Sequence, residues 1–149
     1  MTPTLRAMKS TDVTAVLILE KALYPFDAWS GAQFLDELRG VPSTRYFTVL
    51  EEGDQIIGYA GLMAVGEHGD IQTLSVDTAY QGQGLGQLLL DDLEAEARRR
   101  KVEAIFLEVR IGNDPAIGLY RKNGYQELGQ RNDYYGPGVD ALVMRKVIA

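Results

Sequence analysis

The sequence predicts one mixed α/β domain of about seven strands and four helices, in the order β-α-α-β-β-β-α-β-α-β-β. Its 149 residues and ordinary globular composition suit a single domain with a full hydrophobic core. Segments rich in β-branched and aromatic residues alternate with segments of helical period. Because no repeat, linker or low-complexity tract divides the chain, residues 1–149 are expected to form that one domain.

Hydrophobic period and turn residues place each element in order. The strands are predicted at residues 4–8, 46–52, 55–65, 71–76, 104–110, 125–131 and 141–147. The helices are predicted at residues 13–24, 31–38 and 116–123, and from residue 85 into the basic run that ends at residue 101.

Capping signals fix where three of these helices begin. Residues 10–12 offer side-chain oxygens just before the first helix. Ser30 and Gln33 have the spacing of a capping box, which opens the second helix. Asp114 and Pro115 occupy the cap and first-turn positions expected for the last helix.

The composition excludes several kinds of site. The chain has no cysteine and a single histidine, His68, so disulfides, a thiol nucleophile and a site with several histidine ligands are excluded, and no metal is implied. His68 lies in a GEHGD segment that predicts a solvated turn. A net charge of −6 argues against nucleic-acid binding. With no signal region and no apolar stretch long enough for a bilayer, we expect a cytoplasmic protein without a membrane partner.

A glycine loop between a predicted strand and a predicted helix is the first candidate site. Residues 81–86, QGQGLG, precede an amphipathic helix, and N–H groups at a helix N-terminus bind phosphate. Glycines let the backbone approach such an anion closely. The loop lacks the Gly-Lys-Ser/Thr ending of a P-loop and the G-x-G-x-x-G of a dinucleotide site. A turn chosen for tight packing is the alternative explanation.

Glu108 is the second candidate. In the strand at 104–110 the period of two places Ile105, Leu107 and Val109 on one face and Glu108 on the other. A strand between two helices is expected to be buried on both faces, where a carboxylate costs free energy. An ion pair with an arginine, or a strand end open to water, would also account for Glu108.

Two motifs carry a resemblance to a known family. Gln81, Gly84 and Gly86 match Q/R-x-x-G-x-G/A, and the segment from Asn113 to Tyr120 matches N-x-x-A-x-x-x-Y. Together they resemble the GCN5-related N-acetyltransferases (GNAT). The segments FLEVR, LYRKNGY and RNDYY extend the resemblance over nearly the whole chain, to the RimI-type ribosomal-protein-alanine N-acetyltransferases.

The resemblance implies a site for acetyl-coenzyme A as cosubstrate, with Glu108 as general base and Tyr120 as general acid. A core aromatic is the alternative explanation for Tyr120. The implied coenzyme-binding residues are Leu74, Ser75, Val76, Gln81, Gly82, Gln83, Gly84, Leu85, Gly86, Gln87 and Asn113. Three aromatic residues in predicted loops or strand ends are candidates to bind an extended peptide. They are Trp29, Tyr134 and Tyr135.

The expected reaction is direct acetyl transfer to the N-terminal α-amine of a protein, and the resemblance implies a ribosomal protein beginning with alanine as acceptor. An α-amine has a pKa near 8, against about 10.4 for lysine, so it demands less of its base. Acetylation of a small amine such as a polyamine or an aminoglycoside, or of a protein lysine, is the alternative enzyme function. A non-catalytic acyl-coenzyme A sensor is the third hypothesis. We expect a monomer or a weak homodimer.

Overall fold

The structure, a computed structural model that describes residues 2–149, confirms the predicted mixed α/β architecture of seven strands in one sheet and four helices. The strands are β1 (Thr4–Ala7), β2 (Arg45–Glu52), β3 (Gln55–Val65), β4 (His68–Val76), β5 (Ala104–Arg110), β6 (Gln126–Arg131) and β7 (Ala141–Val147). The helices are α1 (Val13–Leu23), α2 (Gly31–Arg39), α3 (Leu85–Arg99) and α4 (Asp114–Lys122). Among residues 2–149, no helix has the length and apolar character needed to cross a membrane.

The sheet order is β1-β2-β3-β4-β5-β7-β6, and every neighbouring pair is antiparallel except β4 and β5. That parallel pair is short, because it joins only His68–Asp70 to Ala104–Phe106. A register shift opposite Gly61 and Leu62 of β3 leaves Gln72 as an extra residue in β4. Such a bulge bends its strand. Beyond it β4 pairs with β3 alone and β5 with β7 alone, so a slot opens between their carboxyl halves.

Helices cover both faces of the sheet and enclose two apolar clusters. One cluster joins α3 and α4 to the central strands, and its fully buried members include Leu62, Leu89, Leu90, Leu93, Ile105 and Met144. The other joins α1 and α2 to β2 and β3, and it contains Val16, Phe34, Phe47, Val49 and Tyr59. Helices α1 and α2 therefore leave the corresponding face of β5 uncovered.

The capping box of α2 and the first-turn position of Pro115 in α4 are confirmed, whereas the side-chain caps predicted at residues 10–12 and Asp114 are wrong. Ser30 Oγ accepts the Gln33 N–H, and Gln33 Oε1 accepts the Ser30 N–H. Helix α4 is capped by Asn113, whose Oδ1 accepts the Ala116 N–H, so Asp114 is already helical. Residues 10–12 form a 3-10 turn, and Asp12 is the N-cap residue of α1. Its carboxylate accepts from Arg6 and the Lys9 N–H, so it makes no capping bond to α1.

His68 is the first residue of β4 and not a turn residue, whereas its predicted exposure to solvent is confirmed. It pairs opposite Val65 after a tight turn at residues 66–67. Its ring stacks on Phe106 with centroids 4.7 Å apart, and its Nε2 lies 2.6 Å from Asp70 Oδ2. The side chain is 49% exposed, so the ring is held between a strand neighbour and water.

Gly61 is the position where the packing of β3 tolerates no side chain. A Cβ built there would lie 2.3 Å from the ring of Phe47, which is buried under α1 and α2. We expect Gly61→Ala to lower the free energy of unfolding by about 1–3 kcal/mol through overpacking, measured by urea denaturation.

Gly118 provides the matched control, since a Cβ there meets no atom within 4 Å among the described residues and the residue is helical. Gly118→Ala should raise the free energy of unfolding by about 0.5–1 kcal/mol, as alanine has the better helix propensity. Equal stability of Gly61→Ala and the unaltered protein would contradict the packing described for β3.

Candidate functional site

The slot between β4 and β5 widens into a cleft of about 710 Å³. Its walls come from the carboxyl halves of both strands, the glycine loop, the start of α4 and the connection between α1 and α2. The cleft brings together most of the residues predicted from sequence. These are Trp29, Leu74, Ser75, Val76, Gln81, Gly82, Gly84, Leu85, Gly86, Gln87, Glu108, Asn113, Tyr120 and Tyr135.

Two predicted residues lie elsewhere. Gln83 is exposed and is absent from the cleft wall. Tyr134 lines an adjoining pocket of about 250 Å³, which shares Glu108 with the cleft. The chain turns within the loop, so successive side chains point in different directions. Gln83 can therefore face solvent although its neighbours line the cleft.

The glycine loop has an open inner surface. Gly82 and Gly84 have φ angles of +81° and +78°, in the left-handed region that favours glycine. A Cβ at either position would meet no atom of the described residues within 4 Å. Only Gly86 is close to another side chain, since its Cβ would lie 3.3 Å from Leu119. Tight packing therefore accounts for Gly86 but not for the other two glycines.

Helix α3 begins in this loop without a side-chain cap. Gly84 is its N-cap residue, and within residues 2–149 no side chain accepts from its first turn. Helices α2 and α4, by contrast, are capped by Ser30 and Asn113. The first N–H groups of a helix have no intrahelical acceptor and lie at the positive end of its dipole. The N-terminus of α3 is uncapped and lies beside Gly82 and Gly84, so it suits a phosphate group.

The amide side chains around the loop form hydrogen bonds with other parts of the protein. Gln81 Nε2 donates to the Val76 carbonyl oxygen at 3.0 Å, which ties the loop to the end of β4. Gln87 and Asn123 exchange two amide hydrogen bonds of 2.8 and 2.9 Å, which tie α3 to the end of α4. Because these amides already bind protein groups, the backbone of the loop is the polar surface left for a ligand.

Leu74, Ser75 and Val76 form one wall of the cleft. They pair with β3 on one side, while within the described chain no strand pairs with their other edge. Unpaired backbone groups of this kind can bind amide groups of a ligand. The Ser75 side chain points to another partner, as its Oγ lies 2.7 Å from the hydroxyl of Tyr24.

Glu108 is half-buried, so its predicted burial between two helices is wrong. Its side chain is 23% exposed, because α1 and α2 pack on β2 and β3 and leave this face of β5 open. Arg131 Nη1 donates to its Oε1 at 3.0 Å, which is the ion pair considered as an alternative explanation. The Arg131 guanidinium also lies 4.9 Å from the centre of the Tyr134 ring. Oε2 makes no hydrogen bond to residues 2–149.

Tyr120 is both a core residue and part of the cleft wall. It is only 6% exposed, and its ring packs edge-on against Tyr125 with centroids 5.6 Å apart. Burial, reinforced by the neighbouring Tyr24 and Tyr135, raises the pKa of its hydroxyl. The hydroxyl therefore stays protonated throughout the neutral range and can serve as a proton donor.

Glu20 lines the cleft and was missed from the sequence. Its Oε1 accepts the Tyr59 hydroxyl at 2.5 Å, and its Oε2 accepts the Trp29 N–H at 2.9 Å. Burial raises the pKa of this carboxyl. A signal was present, since Glu20 follows Val13 and Val16 at helical spacing on the buried face of α1.

Asp27 and Arg110 also line the cleft and were missed. They form an ion pair between the α1–α2 connection and the end of β5, and the Arg110 guanidinium lies 5.5 Å from the centre of the Tyr135 ring. Asp27 Oδ1 is buried and has no hydrogen-bond partner within residues 2–149. No sequence pattern predicts this pair, because it depends on how an irregular segment packs.

Comparison with known proteins places the chain in a family. The model of the acetyltransferase (GNAT) family matches residues 14–125. The chain is 37% identical to N-alpha-acetyltransferase RimI of Mycobacterium tuberculosis, over 96% of this chain and 91% of that protein. A crystal structure of the ribosomal-protein-S18-alanine N-acetyltransferase from Escherichia coli superposes with a TM-score of 0.89 and 29% identity, covering 99% of this chain and 95% of that one.

A solved structure of yncA from Salmonella typhimurium with its cofactor acetyl-CoA has a TM-score of 0.82 and covers 100% of this chain and 95% of that one. At 22% identity this likeness shows the fold alone. The family match and the full-length relatives carry the assignment of the activity class. The chain belongs to the acetyltransferase (GNAT) family and is an acetyl-CoA-dependent N-acetyltransferase.

Proposed function

We propose that this enzyme acetylates the N-terminal α-amine of a protein, and that its acceptor is a ribosomal protein beginning with alanine. One observation carries the proposal. A single cleft contains the glycine loop at the start of α3, which suits an anion, together with the carboxylate of Glu108 and the protonated hydroxyl of Tyr120. The full-length similarity to N-acetyltransferases that act on an α-amine or on a ribosomal-protein alanine, by their names, supports the choice of acceptor.

The cleft fits acetyl-CoA, which supplies an acetyl group as a thioester. The uncapped N-terminus of α3, with Gly82 and Gly84 open beside it, would hold the pyrophosphate. Backbone groups of Leu74–Val76 would bind amides of the coenzyme arm along the unpaired edge of β4. A backbone N–H near Val76 would polarise the acetyl carbonyl. Asn113, at the cap of α4, would add a polar contact.

Glu108 accepts the proton that the amine loses, directly or through one water. Arg131 fixes one carboxylate oxygen and leaves the other available, so the ion pair and the role of base are compatible. An α-amine with a pKa near 8 is easier to deprotonate than lysine by about 2.4 units, or roughly 3.3 kcal/mol. A carboxylate held partly in water is thus a sufficient base for an α-amine.

Tyr120 donates the proton that the departing sulfur requires. Its raised pKa keeps the hydroxyl protonated at the pH where the amine is neutral, so both groups are in the required state together. With no cysteine in the chain, direct attack of the amine on the thioester is the simplest path.

The acceptor side of the cleft favours an extended peptide over a small polyamine. The cleft continues past Glu108 into the 250 Å³ pocket beside Trp29, Tyr134 and Tyr135, which gives a groove with aromatic walls. Asp27 and Glu108 pair with arginines, Asp70 contacts His68, and Glu20 accepts hydrogen bonds from Tyr59 and Trp29. A polyamine site would need several unpaired carboxylates.

The proposal is tested with two basic peptides and acetyl-CoA, read out by mass spectrometry. One peptide has a free N-terminal alanine, and the other has a blocked N-terminus and internal lysines. Acetylation of the first at its α-amine is expected, because that amine is the more readily deprotonated. Modification of the second alone would transfer the activity to lysine, and modification of neither would exclude peptide acceptors of this kind.

Glu108→Gln should lower kcat by about 100-fold or more with little change in the affinity for acetyl-CoA, because the base is lost while the coenzyme cradle is intact. Steady-state kinetics and calorimetric titration of coenzyme measure the two effects.

Arg131→Gln is the matched control, since it breaks the same ion pair and leaves the carboxylate in place. It should lower kcat by less than about tenfold. If both variants lost activity equally and in proportion to a loss of stability, Glu108 would be a structural ion-pair partner and not the base.

A further inference from the structure

We propose that Tyr24 limits the acyl donor to acetyl-CoA, because its ring closes the cleft where a longer acyl chain would extend. The inference rests on the proposed function, which places the thioester between the end of β4 and Tyr120, and it specifies the class of donor. Tyr24 directly follows α1 and lines the cleft together with Ser75. It is the first residue of the segment between α1 and α2, residues 24–30, which is called the α1–α2 connection below.

The hydroxyl of Tyr24 has neighbours on both sides of the slot between β4 and β5. It lies 2.7 Å from Oγ of Ser75 on β4, a residue that is only 4% exposed. Burial is the main cause of the raised pKa of Tyr120 on α4, and the Tyr24 hydroxyl adds to that rise. Burial also raises the pKa of Tyr24, and Ser75 and the Arg110 guanidinium at the end of β5 partly offset the rise. The Tyr24 ring therefore bridges the slot beside the proposed proton donor.

Both faces of the slot are closed at this point. Ser75 is the register partner of Tyr59, whose ring belongs to the apolar cluster beneath α1 and α2. Paired residues on neighbouring strands point to the same face of a sheet, so Ser75 and Tyr24 lie on the face where these helices pack. The opposite face of the slot is closed by Leu107 and Val109, which are buried in the cluster of α3 and α4. An acyl chain in the slot would thus have core residues on one face and Tyr24 on the other.

The acyl chain is the part of the thioester that would face Tyr24. The carbonyl carbon has three substituents in one plane. The proposed function places the oxygen at a backbone N–H near Val76 and the sulfur at the Tyr120 hydroxyl. Tyr24 contacts the residue before Val76 and neighbours Tyr120, so the third substituent points at its ring. A methyl group is the shortest such chain, and each further methylene would need space that the ring occupies.

The α1–α2 connection is anchored at both ends and in the middle, which opposes displacement of the ring. At its start, the Tyr24 hydroxyl is bonded to β4 and the Tyr24 N–H donates to the Glu20 carbonyl oxygen at 2.8 Å. In its middle, the ion pair of Asp27 ties it to the end of β5. Near its end, the Trp29 N–H donates to Glu20 Oε2 at 2.9 Å. A longer acyl chain would have to break contacts of this set, so it would be rejected.

The test compares acetyl-CoA, propionyl-CoA and butyryl-CoA as donors to whichever of the two basic peptides accepts an acetyl group. We expect kcat/KM of the unaltered enzyme to fall about tenfold from acetyl-CoA to propionyl-CoA and about 100-fold to butyryl-CoA, since each methylene lacks space. Calorimetric titration of the protein with the same thioesters needs no acceptor. It should show weaker binding in the same order, with the affinity for CoA, which has no acyl group, as the reference.

Tyr24→Ala removes the ring and should reduce the preference for acetyl-CoA over butyryl-CoA to less than about tenfold. Tyr24→Leu keeps an apolar side chain of intermediate size, which favours folding, and should give an intermediate preference. Tyr24→Phe keeps the ring without its hydroxyl and should retain the preference, because the effect is one of volume. Tyr46→Ala is the matched control, since the Tyr46 hydroxyl bonds to Asp92 of α3 away from the cleft wall, and it should leave the preference unaltered.

The outcomes separate the inference from the proposed function. Equal use of butyryl-CoA and acetyl-CoA by the unaltered enzyme, or a preference that survives in both Tyr24→Ala and Tyr24→Leu, would overturn the role of Tyr24 and leave α-amine acetylation standing. Acetylation of lysine alone, with a preference that Tyr24→Ala removes, would overturn the proposed acceptor and support the role of Tyr24. If neither peptide accepts, the titrations decide, and equal affinities of the unaltered protein for acetyl-CoA and butyryl-CoA would overturn the role of Tyr24.

Discussion

The early separation of β4 from β5 is the constraint on which the rest of the site depends. Two strands that paired along their full length would close the sheet and leave no room between Leu74–Val76 and Glu108. Pairing stops after three residues, and the bulge at Gln72 turns β4 away. Each strand keeps its other neighbour, so the separation exposes one edge of β4 without detaching either strand. Under the proposed function, the same opening would admit a coenzyme arm from one end and an acceptor from the other.

The polar groups at the two ends of the cleft are organised in opposite ways. At the coenzyme end, side chains such as Gln81 and Gln87 bind the protein, and the surface offered to a ligand is backbone with the positive end of α3 behind it. At the acceptor end, charged side chains dominate, and most are paired within the protein. Under the proposed function, an anion is therefore favoured at the start of α3, and the two substrates would enter from different ends of the cleft.

The sequence predicted what local pattern encodes. Strand and helix order, the Ser30–Gln33 box and the loop at residues 81–86 follow from periodicity and turn chemistry, and the structure places them close to their predicted bounds. The sequence could not predict that the helices leave one face of β5 open, so the predicted burial of Glu108 was too high. Asp27 and Arg110 meet through an irregular segment that has no periodic signal. Residues on separate strands, such as Asp70 and Glu108, share a pocket only because of sheet register.

A crystal structure with a bisubstrate ligand tests the central claim most directly. The ligand is coenzyme A joined through an acetyl linker to the α-nitrogen of a peptide beginning with alanine. The account predicts the pyrophosphate at the N-terminus of α3, the sulfur within hydrogen-bonding distance of the Tyr120 hydroxyl, and the α-nitrogen on the side of Glu108. A ligand whose sulfur contacts another group, or whose peptide leaves the cleft away from Glu108, would contradict it.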